Sequence, residues 1–181
     1  MEKEVVRTNK NRELTELALL KAVDDLIEED GFENLGINAV AAKAGLSKML
    51  IYRYFESLDG LIVAYIERND YWINLELELP EVEHLGEFVK KLFRDQITML
   101  RNSYTLRRLY RWELSAKNKV IKELRERREA KGIWLIDAVS RLTDWPKADI
   151  AVIATVLTSS ITYLVMLEEN CPDYNGFKLQ S

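Results

Sequence analysis

The chain has 181 residues, 48% of them apolar and 31% charged, with a formal net charge of −4. That composition supports a sizeable core and excludes wholesale disorder, and the acidic balance excludes nucleic-acid binding through bulk positive charge. One cysteine and one histidine exclude an internal disulfide framework and a cysteine-based zinc site, and leave histidine-dependent nucleophilic catalysis unsupported.

Only seven glycines and three prolines punctuate the chain, so long helices are expected and the fold class reads as all-α. The leader carries Lys3, Arg7, Lys10 and Arg12 and lacks the apolar centre of a signal peptide. Asn11–Asp30 reads as the first helix, because Leu19, Leu20, Val23, Leu26 and Ile27 form one apolar face. Gly31 should stop it, with Phe32 turned back onto that face. Two short helices follow, Ile37–Ala44 and Ser47–Tyr54. A fourth is expected from Ser57 past Trp72 toward Leu79, although "LELEL" before Pro80 alternates like a strand without a nearby partner. Pro80 suits the start of a fifth helix running to about Arg101, with Glu81 and Glu83 favouring its first turn. Tyr104–Ala116, Asn118–Leu142 and Pro146–Asn170 complete the helices, and the tail "DYNGFKLQS" shows no period and resembles the approach to another helix.

Charge is unevenly placed. Up to Gly60 there are 8 basic and 12 acidic residues, yet Ile37–Phe55 holds Lys43, Lys48 and Arg53 and no acid. The acids gather at Asp24–Glu33, so one small unit has an acidic and a basic pole. Within "GINAVAAKAGLSKMLIYRYF" the spacing is that of a helix-turn-helix. Ala41 is small where two helices cross, Gly45 stands where a positive φ ends the first, and Ser47 can cap the second. Val40, Leu46, Ile51 and Phe55 turn inward, which leaves Lys48, Met49, Tyr52 and Arg53 outward on a helix that fits a DNA major groove.

"AVAAKAGLSKMLIYRYFESLDGL" resembles the N-terminal domain of the tetracycline-repressor (TetR) family of bacterial transcription regulators, and the preceding "IEEDGF" is similar to it as well; the likeness covers Arg12–Ile66. It implies a three-helix DNA-binding domain, residues 1–56, joined through the fourth helix to a helical ligand-binding and dimerisation domain, residues 57–181. It also implies a cytoplasmic homodimer that binds a palindromic operator in double-stranded DNA, usually represses, and is released by a small-molecule effector. The DNA-binding set carried over by position is Arg12, Asn38, Lys48, Met49, Leu50, Tyr52, Arg53 and Tyr54, with the Tyr52 hydroxyl given to a phosphate. Tyr54 stands where the family often has a phosphate-binding histidine, Gly36 where a capping Ser or Thr is common, and Leu58 where a lysine is frequent. Met49 and Leu50 can touch thymine methyls but cannot hydrogen-bond bases.

In the C-terminal part, Met99, Tyr104, Tyr110, Trp112, Glu113, Trp134, Tyr163 and Met166 suit a largely apolar effector pocket as a set, with ordinary core packing as the alternative for each. No cofactor or metal is expected. "EVEH" has Glu-x-x-His spacing, but a di-iron bundle needs a second such motif and His84 is the sole histidine. Lys122–Gly132 reads as a solvated charged face. Ile150–Leu167 is uncharged and long enough to meet the lower limit for a membrane span; its Ser and Thr content favours a buried or dimer-forming helix, with Thr155, Ser159 and Thr162 near the partner. The readings to be separated are a ligand-released regulator and an all-helical ligand-binding or scaffold protein whose helix-turn-helix no longer binds DNA; a helical-bundle enzyme is a distant third.

Overall fold

A computed structural model describes residues 2–76 and 78–179, with side chains from residue 11 onward. The side chains of Lys3, Arg7 and Lys10, and Leu77 within the alternating stretch, lie outside the described residues. The elements in order are α1 (Glu2–Asp30), α2 (Ile37–Ala44), α3 (Lys48–Phe55), α4 (Leu58–Asn69), α5 (Leu85–Asn102), α6 (Tyr104–Ser115), α7 (Lys119–Thr143), α8 (Lys147–Leu167), and a hairpin of β1 (Asp173–Tyr174) and β2 (Phe177–Lys178). Single 3-10 turns at Phe32–Asn34 and Val82–His84 precede α2 and α5. The all-α expectation holds.

Two compact units are formed, residues up to Asp70 with Arg108–Leu124, and Tyr71–Arg107 with the chain from Arg125 onward. In the first, α1 packs on α2, α3 and α4. Leu19, Val23 and Ile27 of α1, Val40 of α2, Ile51 of α3 and Leu61 of α4 have no exposed surface. Each such burial contributes roughly 1.5–3 kcal/mol, so this small unit has a continuous core. Gly31 stops the apolar face of α1 at φ +86°, and Phe32 folds back as expected. The Phe32 ring stacks on Trp112 with centroids 4.7 Å apart, and meets Tyr65 edge-on at 6.4 Å. The Tyr65 hydroxyl donates to Asp24, so part of the acidic pole is internal bonding rather than free charge.

Three boundaries differ most from the sequence reading. Helix α1 begins at Glu2 rather than Asn11, because the polar leader contains no glycine or proline to interrupt it. Helix α4 ends at Asn69 instead of passing Trp72. Asp70 is extended there, and Tyr71 instead donates its hydroxyl to the Leu92 carbonyl oxygen at 3.0 Å. Continuing the helix would forfeit that bond. Helix α5 starts at Leu85 because Glu81 is extended and the chain first makes a 3-10 turn.

In the second unit α5 packs against α8. Leu92, Gln96 and Leu100 of α5 and Thr162 and Val165 of α8 are buried there. Arg101 grips Glu168 with two parallel bonds, Nε to Oε1 at 3.0 Å and Nη2 to Oε2 at 2.9 Å. Arg101 also donates to the Leu179 carbonyl oxygen, and Arg107 reaches Glu169. The tail takes up strand structure. Asn175 and Gly176, with φ +49° and +82°, form the turn of a hairpin pairing Asp173 with Lys178 and Tyr174 with Phe177. Asn-Gly is the residue pair such a two-residue turn requires. The dimer expectation needs one correction: Thr162 is buried within its own subunit and accepts from Gln96.

Candidate nucleic-acid interface

The angle between α2 and α3 is set by a short run of backbone bonds. Gly45 lies in the left-handed region at φ 65°, ψ 28°. Its N–H donates to the Ala42 carbonyl at 3.1 Å, and the Leu46 N–H donates to Ala41 at 3.0 Å. That pair is the Schellman arrangement, which uses up carbonyls otherwise left open at a helix end. Ser47 then caps α3, its Oγ accepting from the Met49 N–H at 3.3 Å. Gly36 makes no side-chain cap at the start of α2. Ala41 and Ile51 are buried in the angle, with Leu46 and Phe55 half-buried beside them.

With Ile51 inward, α3 turns Lys48, Met49, Tyr52 and Arg53 to solvent. Met49 is 66% exposed and Tyr52 48%, large values for apolar and aromatic side chains on an eight-residue helix. Leu50 and Tyr54 are half-buried at the margin of this face, and Asn38 is exposed on α2. Lys43 is engaged by Glu29 of α1 at 2.6 Å, so one cation of the acid-free stretch is committed within the fold. Arg12 donates Nε to Glu16 at 2.7 Å, and that bond raises its pKa. The guanidinium carbons of Arg12 and Arg53 stand 5.4 Å and 5.7 Å from the centroid of the Tyr54 ring.

Two features of the interface were not anticipated. The C-terminus of α3 is closed by Glu56 at φ 66°, ψ −35°, with the Ser57 N–H donating to the Phe55 carbonyl at 2.7 Å. This is a γ-turn of the rare, strained hand. Gly60 lies against the same carbonyl, within the first turn of α4. A glycine so early in an apolar helix, in "SLDGL", was the available signal.

The eight residues read as an effector set are distributed over both units. Trp112 is a core residue of the first, stacked on Phe32, with Tyr110 and Glu113 half-buried on the same helix. In the second unit Met166 is half-buried, while Met99, Tyr104, Trp134 and Tyr163 are exposed. Trp134 carries Lys131 over its ring at 5.6 Å, Arg107 lies 5.6 Å from Tyr104, and Tyr163 meets Tyr174 edge-on. Sequence reasoning missed Gln96. Its side chain is 1% exposed, donates Nε2 to Thr162 at 3.2 Å, and has no partner for Oε1 among the described residues; the buried Trp72 Nε1 likewise has none among them. A glutamine on the apolar stripe of α5 was the visible cue.

Residues 19–65, which include both short helices and most of α4, match the family model described as "Bacterial regulatory proteins, tetR family". The helix-turn-helix region is therefore of the TetR type. Two uncharacterized HTH-type transcriptional regulators of Mycobacterium tuberculosis, from strains CDC 1551 and H37Rv, are 31% identical to it over 90 residues. That match covers 48% of this chain and 44% of each relative, less than half of their length. Among solved structures, a Clostridium perfringens protein named as a fatty acid metabolism regulator is similar with a TM-score of 0.61 and 21% identity, over 90% of both chains. A TetR family transcription regulator from Marinobacter aquaeolei VT8 gives 0.60 and 17%, over 94% of this chain and 90% of that one. At these identities the likeness is one of fold, and it runs over the helices beyond the matched N-terminal region.

Proposed function

We propose that this TetR-family protein is a DNA-binding transcription regulator of the cytoplasm, a repressor released from a palindromic operator by a small molecule, and not an enzyme. In this reading residues 1–56 dock on DNA, and residues 57–181 sense the effector and pair two subunits. The observation that carries it is the exposed Lys48–Met49–Tyr52–Arg53 face of α3, held at a defined angle by the left-handed Gly45 turn. A helix presented in this way supplies base and phosphate contacts from its first turns.

The effector half draws support from the second unit. A buried amide oxygen without a partner costs about 1–3 kcal/mol, so Gln96 Oε1 and Trp72 Nε1 fit the polar contacts of an otherwise apolar ligand. Pairing of subunits draws support from α8, whose Val152, Ile153, Val156, Leu157 and Tyr163 are all exposed. By length and composition the same helix could cross a membrane, but a soluble dimer buries such a stripe equally well.

Selection of bound duplexes from a random pool tests the central claim. A regulator enriches a palindrome and binds it with an affinity that falls steeply with salt, whereas a scaffold protein enriches nothing. A screen for small molecules that release the selected duplex tests the effector. Light scattering tests the dimer: Val156→Asp should convert it to monomer, and a wild-type monomer at micromolar concentration would reject the assignment.

A further inference from the structure

The Tyr54 ring carries two guanidinium groups. Arg12 reaches it from α1 and Arg53 from the neighbouring position on α3, at 5.4 Å and 5.7 Å from the ring centroid. Two like charges do not gather at an exposed surface without a reason, since each would be better hydrated apart. The negative face of an aromatic ring is such a reason. A second is Glu16, whose carboxylate holds Arg12 at 2.7 Å. Arg12 therefore sits between a ring and a carboxylate, with 59% of its side chain open to solvent. The residues join the stretch before the core of α1 to the outward face of α3, two places more than forty positions apart in sequence.

We infer that Tyr54 is a positioning residue, whose ring rather than hydroxyl sets Arg12 beside Arg53 as a two-cation seat for a backbone phosphate of duplex DNA, with Glu16 holding the place of that phosphate in the free protein. The inference rests on the DNA-binding reading and specifies how one edge of that interface is built. A planar guanidinium stacked on a ring keeps its N–H edge free, so it can still donate to a phosphate oxygen. Binding then exchanges one carboxylate for one phosphate at Arg12 without reordering the side chain.

The experiment measures affinity and salt dependence of the full chain on its selected duplex, with circular dichroism confirming helix content in every variant. Tyr54→Phe keeps the ring and should bind within about twofold of wild type. Tyr54→Leu should bind about tenfold more weakly, the loss of two stacked cations. Arg12→Ala and Arg53→Ala should each lower the salt slope by about one. In the Arg12→Ala/Arg53→Ala background, Tyr54→Leu should have no further effect, which a merely structural role for the ring would not produce. Glu16→Gln frees Arg12 and should tighten binding. Equal losses in Tyr54→Phe and Tyr54→Leu would overturn the ring role in favour of the hydroxyl, and a weaker Glu16→Gln would overturn the place-holding role of the carboxylate. If Tyr54→Leu fails to fold, the Phe and Gln variants still decide the matter. A wild type that binds no duplex at all overturns the underlying reading and this one with it, whereas tight wild-type binding with an indifferent Tyr54→Leu overturns this one alone.

Discussion

The carbonyl oxygen of Phe55 occupies the space that a side chain on Gly60 would need: a Cβ there would stand well under 3 Å from it, closer than real Cβ atoms approach. The obstacle is backbone at the end of α3, so it cannot swing away. Gly60→Ala should therefore destabilise the N-terminal unit by about 1–3 kcal/mol, the range for overpacking. A urea midpoint shift with an unchanged m-value checks it, and an unshifted midpoint would show that the α3–α4 corner yields.

Glu56 leads to a prediction of opposite sign. It holds φ +66° without being glycine or asparagine. Glu56→Gly removes the Cβ penalty of that conformation, worth about 1–2 kcal/mol, against the larger chain entropy of glycine when unfolded, about 0.4–1 kcal/mol. A small net stabilisation is expected by thermal or urea melting. Glu56→Ala, which keeps a Cβ, should show none of it.

At the outward face, Lys48→Ala and Tyr52→Phe should leave stability within about 0.5 kcal/mol, because both side chains are exposed. Each should weaken duplex binding, and Lys48→Ala should reduce the salt slope by about one. Unchanged affinity in both variants would reject the proposed docking of α3. Gly45→Val should behave differently, losing stability before binding, since a β-branched residue is strained at φ 65°.

Tyr71 ties stability to alkaline pH. Burial, with a smaller contribution from Asp95, pushes its hydroxyl pKa from 10.0 up to about 12. Above pH 10 the unfolded chain has released this proton and the folded chain has not, so stability falls as pH rises from 10 toward 12 and is fully present below 10. The bond to the Leu92 carbonyl is lost with the proton. Tyr71→Phe should flatten this part of the pH–stability curve, as measured by urea denaturation at a series of pH values between about 9 and 12.

The Gln96–Thr162 pair separates structural from ligand-facing roles. Thr162→Val strips Gln96 Nε2 of its acceptor and should cost about 1–3 kcal/mol. Gln96→Leu removes the donor and the unpartnered oxygen together but leaves the buried Thr162 hydroxyl without that donor, so it should cost less than Thr162→Val, and Gln96→Leu/Thr162→Val together should be near neutral in the ligand-free protein. Chemical denaturation of the two variants in parallel measures the contrast. Equal destabilisation would show that the amide oxygen is satisfied in solution.

What could be read in the chain itself was whatever depends on neighbours a few residues apart. Gly45, Ala41 and Ser47 specify a left-handed turn, a close crossing and a cap through local backbone chemistry, and α2 and α3 fall where those residues put them. The Asn175–Gly176 turn was equally local and went unread, because its strands are only two residues long and show no alternation. The rest waited on the tertiary structure, because it turns on groups distant in sequence meeting in space. The end of α4 follows from Tyr71 finding Leu92, and Trp112 becomes a core residue only because Phe32 lies under it. Periodicity marks a helix as apolar all round but cannot say which side faces its own subunit; for α8 that was decided by Gln96 and Arg101 of α5, which take Thr162 and Glu168 inward and leave Val152 and Val156 in solvent. The seat around Tyr54 has the same origin, since only the packing of α1 on α3 brings Arg12 to a ring more than forty residues away.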